Sequence, residues 1–476
     1  MMRWTIAFCC VGLTTPAVAS RPVVTWTTYL GVADCDDAAL WQGDLFLACH
    51  STESRLPIPV AEPADRSGTM AAYVLRLDLD RGRLVYATRV QADGLTAALR
   101  IEIDDEGCAH VTGLTKGGGL PVSENAVQPR YGGGASDAFF VSLAPGGQVV
   151  YGTFLGGEGD DVGNALGLDG RGGVLLGGTT TSGDFSGQSR EGDQSADAFI
   201  SFLRPSSASS LASIVFGGSA DEKLTGIAVD GVGGVFAVGY TKSGDFPVLN
   251  AAQSTLRGAS DAFVTRLRVP SLAIEFSTYL GGSGDDSGWG VAVDGAGAPI
   301  VAGTTDSHDL ATSRDAFQST ARGGLDAFVA RLGGSEHKSV RLTYFGGSGD
   351  DSSGFDGSDI AVDASGRVWL AGLTSSADLP VRDALQEGYG GATDGFVAAF
   401  SSGLGKLEFG TYHGGSRRDI LEGLDVDSGG TVAVTGVTFS DDLPMPGPVI
   451  QRTQSDISVG GQIANATVLV LRTSRL

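Results

Sequence analysis

The stretch "YLGGSGDDSGWGVAVDGAG" (Tyr279 to Gly297) nearly repeats itself, as "FLGGEGDD" (Phe154 to Asp161) and again as "YFGGSGDD" (Tyr344 to Asp351). Aligned on "DAF", the chain returns at Asp137, Asp197, Asp261, Asp326 and, with glycine in the middle, Asp394, at intervals of 60, 64, 65 and 68 residues. Self-similarity at such a period means stacked units, because a single unit cannot bury its own apolar faces. No other feature narrows the possible folds as much.

Within each interval four short runs recur. In the clearest copy they are "VAVD" (Val291 to Asp294), "PIVAGTT" (Pro299 to Thr305), "DAFVARL" (Asp326 to Leu332) and "RLTYFGG" (Arg341 to Gly347). Each is rich in Val, Phe, Tyr, Thr and Leu, is bounded by Gly, Asp and Ser, and is too short for a helix, which predicts strands. Between the first and second runs lies Asp-x-x-Gly, as in "DGVG" (Asp230 to Gly233), "DGAG" (Asp294 to Gly297) and "DASG" (Asp363 to Gly366). That is the preference of a type I turn, where the carboxylate accepts backbone N–H bonds and glycine takes the exit. Four antiparallel strands per period suit one blade of a β-propeller.

Assigning every run gives seven blades. Their inner strands are expected over Ala38–Trp41, Leu99–Asp104, Ala165–Asp169, Gly226–Asp230, Gly290–Asp294, Asp359–Asp363 and Gly423–Asp427. The first outer-type run, residues 24–31, precedes every inner strand, and the chain ends on a third-type run, residues 466–472. The expectation is therefore an all-β, seven-bladed propeller of four-stranded antiparallel blades, its ring closed by pairing 24–31 with 466–472.

The first residues, "MMRWTIAFCCVGLTTPAVAS", place one cation, Arg3, before a short apolar stretch and a small-residue triplet, Ala17 to Ala19. That predicts a signal peptide over residues 1–19 and an exported protein, periplasmic, surface-attached or extracellular. A bilayer anchor needs about 20 continuous apolar residues, and Thr14, Thr15 and Pro16 end this run early. The 457 residues that remain, 20–476, are filled by one propeller domain with no integral membrane segment, expected as a monomer. Of five cysteines, Cys35, Cys49 and Cys108 stay with the mature chain, which permits at most one internal disulfide and leaves its pairing open. The formal charge of -23, 55 acids against 32 bases, argues against nucleic acid.

The motifs "TYLGGSGDD", "VAVD", "VAGTT" and "GGLDAFVARL" resemble the bacterial SBBP (seven-bladed β-propeller) repeat family. The resemblance is strong from Tyr151 to Phe400 and weak at both ends, and it implies a propeller in exported bacterial proteins without supplying catalytic residues.

In such a ring the loops from outer to inner strand, and the long loops between second and third strands, share one face. That face gathers Asp160, Asp161, Asp221, Glu222, Asp285, Asp286, Asp350 and Asp351, with Asp36, Asp37, Asp93 and Asp419 in the remaining copies. Two readings follow. Either each acid caps its own loop by accepting backbone N–H bonds, or the acidic crown binds Ca²⁺, with Asp285, Asp286, Asp350 and Asp351 as ligands. Ca²⁺ is the one cofactor this pattern suggests. His308, in "TTDSHDLATS" (Thr304 to Ser313), is the one histidine placed on this face; no GxSxG elbow and no phosphate loop accompanies it. The recurrent Gly-x-Thr ending the second strand reads as close packing. The expected function is an exported, non-catalytic scaffold that binds a protein or glycan partner at the cell surface. Irregular loops such as 53–68 and 183–196 would supply specificity. The alternative is a metal-assisted hydrolase or polysaccharide lyase at the channel mouth.

Overall fold

The computed structural model describes residues 22–30, 34–51, 69–187, 195–206, 211–334, 336–354, 360–445, 458–459 and 462–473. The leader expected over 1–19, the loop 53–68 and the 188–194 part of the loop 183–196 lie outside the described residues.

Seven antiparallel sheets form the four-stranded blades of a β-propeller, the sixth with its inner strand in two pieces, Asp351–Ser352 and Ile360–Val362. The first blade runs Asp34–Trp41, Asp44–Ser51, Ala71–Asp78 and Arg83–Val90 from inner to outer strand. The fifth, the most regular, runs Asp286–Val293, Pro299–Thr305, Asp326–Gly333 and Ser339–Phe345. The Asp-x-x-Gly turns form as expected: in the fifth blade Gly297 N donates to Asp294 O at 2.8 Å, and Asp294 Oδ1 accepts from Ala296 N and Ala298 N. Gly297 sits at φ +79°, a left-handed conformation that costs glycine nothing.

The ring closes as the order of runs requires. Val23–Tyr29 pairs antiparallel with Asn465–Arg472, so the seventh blade takes its outer strand from the opposite end of the chain. Tyr29 lies opposite Thr467, and Leu30 N donates to Ala466 O at 3.1 Å. Among the described residues one apolar cluster fills each of the seven junctions between neighbouring blades. Phe199, Phe263 and Phe328, from the "DAF" runs, are buried there. Such a core is a ring of interfaces, so no blade is stable apart from its neighbours.

Two expectations need correction. The inner strands start several residues earlier than the apolar runs suggest, at Asp34, Thr96, Asp161, Glu222, Asp286, Asp351 and Asp419. The second acid of each Gly-Asp-Asp copy is therefore the first residue of a strand, since its backbone already pairs with the threonine ending the next strand, as Asp286 does with Thr305. Asp36 and Asp37 are likewise not loop residues but lie within Asp34–Trp41. Asp36 is the extra residue of a β-bulge in that strand. The same register shift occurs at Cys35/Asp37, Ala98/Arg100, Gly163/Ala165, Leu224/Gly226, Gly288/Gly290 and Leu421/Gly423.

Cys35 and Cys49, directly opposite in the first hairpin, form the disulfide, and Cys108 is free. Among the described residues no helix is long and apolar enough to cross a membrane.

Candidate functional site

The loop Gly281 to Asp286 shows how the acidic face is built. Asp286 is buried, and its Oδ2 accepts from Gly282 N at 2.7 Å and from the Ser307 hydroxyl at 2.9 Å. Asp285, one residue earlier, is exposed and accepts from Ser260 N at 3.1 Å through Oδ1. Adjacent acids thus face opposite ways, one into the blade and one across to the neighbouring loop. Asp161, Glu222, Asp351 and Asp419 repeat the inward role, accepting from Gly157, Gly218, Gly347 and Gly415 at 2.7–2.8 Å. Asp160, Asp221 and Asp350 repeat the outward one, on Ala135, Ala196 and Leu325.

The loop's other partners come from a motif that the strand-by-strand reading passed over. Thr-x-Ser-x-Asp ends every second strand from the third blade on: Thr180, Ser182, Asp184; Thr241, Ser243, Asp245; Thr305, Ser307, Asp309; Thr374, Ser376, Asp378; Thr438, Ser440, Asp442. The serine hydroxyl donates to the buried acid in four of these, the terminal aspartate accepts from a loop N–H such as Ser283 N at 2.8 Å, and Thr374 and Thr438 donate to Asp351 and Asp419. The Gly-x-Thr threonine, expected only to pack, is therefore part of a polar network. Its fixed spacing to the serine and aspartate was the available signal.

The first glycine of each pair lies between two buried carboxylates. A Cβ on Gly281 would stand 2.6 Å from Asp261 Cγ and 2.7 Å from Asp286 Oδ2. Asp261, from the start of the third strand, is held by Arg257 N, Gly258 N and Gln253 Nε2. Burial pushes Asp137, Asp286 and Asp394 up to about 6. His308 is exposed on the rim between Ser307 and Asp309. Among the described residues, no group of three or more His, Cys, Asp or Glu is arranged to hold a metal ion.

These shifts carry a pH dependence whose sign is determined. An acid whose folded pKa lies above its unfolded value binds more protons when folded, so its contribution to stability grows as pH falls through about 6. His50, although burial opposes its charge, is raised to about 9 by Asp36, whose Oδ2 lies 2.9 Å from Nδ1, and its contribution is lost as pH rises towards 9. His413, lowered to about 4 by burial, works the other way and costs stability as pH falls below its unfolded value. Burial lowers His110 and His337 in the same direction, but the raised acids outnumber these three histidines, so the melting temperature should rise by on the order of 5 °C between about pH 8 and about pH 5.5. Differential scanning calorimetry across that range checks it, and a flat or falling trend contradicts the assignment.

The central channel departs from the repeat. Just past the bulge, blades three, four, five and seven carry Ala165, Gly226, Gly290 and Gly423, whereas the first and second carry Asp37 and Arg100. Two residues further on, Ala39, Gly167, Ala228 and Ala292 are matched by Glu102 in the second blade and Asp425 in the seventh. Asp37 accepts from Ile101 N at 2.9 Å and Asp425 from Leu40 N at 2.7 Å, each reaching the next blade's inner strand. Glu102 opens into the lumen but is walled in by protein, and that burial, with Asp37 and Asp425 nearby, pushes it up to about 8. These residues escape a reading made for common motifs; they show only where one blade breaks the pattern of the others.

No family model matches the chain. Among curated proteins it is similar to the regulatory protein FlaEY of Caulobacter vibrioides, 24% identical over 405 residues that cover 81% of this chain and 40% of that protein. The chain thus spans about two-fifths of the length of the curated relative it matches. Among solved structures it is similar to the Dos1 propeller, with 9% identity over 96% of each chain and a TM-score of 0.46. It is also similar to the Pan2 WD40 domain of Neurospora crassa, with 9% identity over 96% of this chain and 98% of that one and a TM-score of 0.44. The same holds for BamB of Moraxella catarrhalis, with 12% identity over 95% and 99% and a TM-score of 0.39. These likenesses concern the fold alone.

Proposed function

We propose that this protein is an exported, non-catalytic binding scaffold of the SBBP repeat kind, which presents the long loops between second and third strands to a protein partner. The observation that carries this reading is the distribution of exposed apolar side chains. Of the large apolar side chains exposed among the described residues, Val248, Leu249, Leu325 and Val381, 37–44% exposed, belong to these loops in three neighbouring blades, whereas Val23, Val85 and Val150 stand singly on outer strands of separate blades and Val232 in a turn. Apolar side chains held in water on a stapled loop favour a protein surface over a hydrated glycan. The loops leave from a common anchor, the Thr-x-Ser-x-Asp network, yet differ in length from 12 residues between Asp184 and Asp197 to 22 between Asp442 and Asn465. A rigid base with variable inserts is the arrangement in which loops acquire specificity. Export is supported by the leader-like first residues and by the Cys35–Cys49 disulfide, which persists in oxidising compartments.

The test is capture from the producing organism's envelope fraction by the full mature chain and by a Leu325→Asp, Val381→Asp double variant. Both substitutions are at exposed positions, so the variant should melt within about 2 °C of the parent. A protein retained by the parent and lost by the variant supports the reading. Capture of the same proteins by both, or of none by either, overturns it.

A further inference from the structure

The channel of this propeller is two-sided. A cavity of about 260 Å³ is bounded on one side by Asp37, Arg100, Glu102 and Asp425, from the seventh, first and second blades. The opposite wall, from the third to sixth blades, carries small or apolar residues such as Leu166, Ile227, Val291 and Val362, and Thr225, whose hydroxyl already donates to Val238 O and Gly288 O. Arg100 is 4% exposed, and its Nη2 has no hydrogen-bond partner; its Nη1 donates to Leu99 O. Leaving a guanidinium N–H unpaired in a buried place is costly. Glu102 stands two residues along the same strand, about 7 Å away along the backbone, and no ion pair joins it to Arg100. An unpaired guanidinium edge and a protonated carboxyl therefore stand beside one lumen without pairing with each other.

We propose that this sector of the channel binds a small zwitterion of amino-acid size, its carboxylate on Arg100, its ammonium on Glu102 and the flanking Asp37 and Asp425, and its apolar part against the Leu166–Val362 wall. The charge pattern excludes simpler ligands. A lone anion would meet the carboxylates of Asp37 and Asp425 beside the Glu102 carboxyl, and Ca²⁺ would sit beside a guanidinium while needing about six oxygens. Asp37 and Asp425 already accept two backbone N–H bonds each, which leaves them suited to accept from an ammonium but poorly placed to encircle a metal. The groups that face Glu102 in the lumen are Asp37, Asp425 and Arg100. Because Glu102 holds its proton near neutrality, an arriving ammonium should displace that proton into the buffer.

The experiment is isothermal titration calorimetry of the full mature chain with glycine, L-alanine, L-valine, L-leucine and L-aspartate in turn. Acetate, methylamine and CaCl₂ form separate arms, each in two buffers of different ionisation enthalpy. At least one amino acid should bind saturably at one site with proton release, while acetate and methylamine bind at least about 30-fold more weakly, since each makes only half of the charge contacts. Arg100→Met and Glu102→Gln should each weaken that binding by about 30-fold or more, and Glu102→Gln should abolish the proton release. Should Arg100→Met fail to fold, Glu102→Gln and the buffer dependence decide alone. No saturation by any amino acid up to about 10 mM, where even a weak site of millimolar Kd fills, overturns the proposal. So does binding undiminished in Glu102→Gln, or tight binding of CaCl₂ in place of the amino acids.

Discussion

A chain that begins after Leu30 is expected to melt at least about 15 °C below one that begins at residue 22, or to be recovered only as aggregate. Removing Val23–Tyr29 takes the outer strand from the seventh blade and uncovers the long edge of Asn465–Arg472. An unpaired, apolar edge strand is a template for association between chains. The segment also buries Thr27, Thr28, Tyr29 and Leu30. The Tyr29 hydroxyl donates to Ser440 O at 2.8 Å, matching Tyr279 on Ser243, Tyr344 on Ser307 and Tyr412 on Ser376. Tyr29→Phe provides the graded control. Phe154 stands at the equivalent place in the second blade's outer strand, opposite Phe139 as Tyr279 is opposite Phe263, so this change should cost only about 1 kcal/mol. Circular dichroism melts of the two variants separate strand loss from hydroxyl loss. Equal melting of the truncated and full chains would refute closure by the two ends.

Gly346→Ala should lose about 3 kcal/mol or more of stability, although alanine is ordinarily the smallest of insertions. The added Cβ would lie 1.8 Å from Asp326 Oδ1 and 2.8 Å from Asp351 Oδ2. Neither carboxylate can retreat. Asp326 begins the third strand of its blade and accepts from Arg322 N at 2.6 Å, while Asp351 begins the next inner strand and accepts from Gly347 N and Ser376 Oγ. Gly295→Ala, in a turn where a Cβ would meet nothing within 4 Å, should stay within about 0.5 kcal/mol of the parent. Chemical denaturation of both variants provides the comparison. Similar midpoints would mean that the paired carboxylates do not confine the loop.

The glycine pair and the double acid thus have one physical account, which answers the feature by which the repeat is recognised. The glycine makes room for two carboxylates from different strands, the second acid and the Thr-x-Ser-x-Asp motif hold the loop, and the first acid ties it to the loop beside it. On the outer face the acids act as a fastening system. The exposed apolar side chains of the long loops, Val248, Leu249, Leu325 and Val381, take no part in that fastening.

Strand order, blade count, the Asp-x-x-Gly turns and closure by the chain's own ends were legible in the sequence by itself, because each follows from local periodicity and from the order of runs along the chain. Where the inner strands start was not, since a bulge and an acidic first residue carry no apolar signal. The inward turn of Asp161, Asp286 and Asp351, and the meeting of Asp37, Arg100, Glu102 and Asp425 in one lumen, were decided only by the tertiary structure. Asp425 reaches Leu40 across 385 residues of chain, and Tyr29 reaches Ser440 across 411. Contacts at such separations depend on how the ring of blades closes, and no pattern of neighbouring residues encodes which side chains will then face one another.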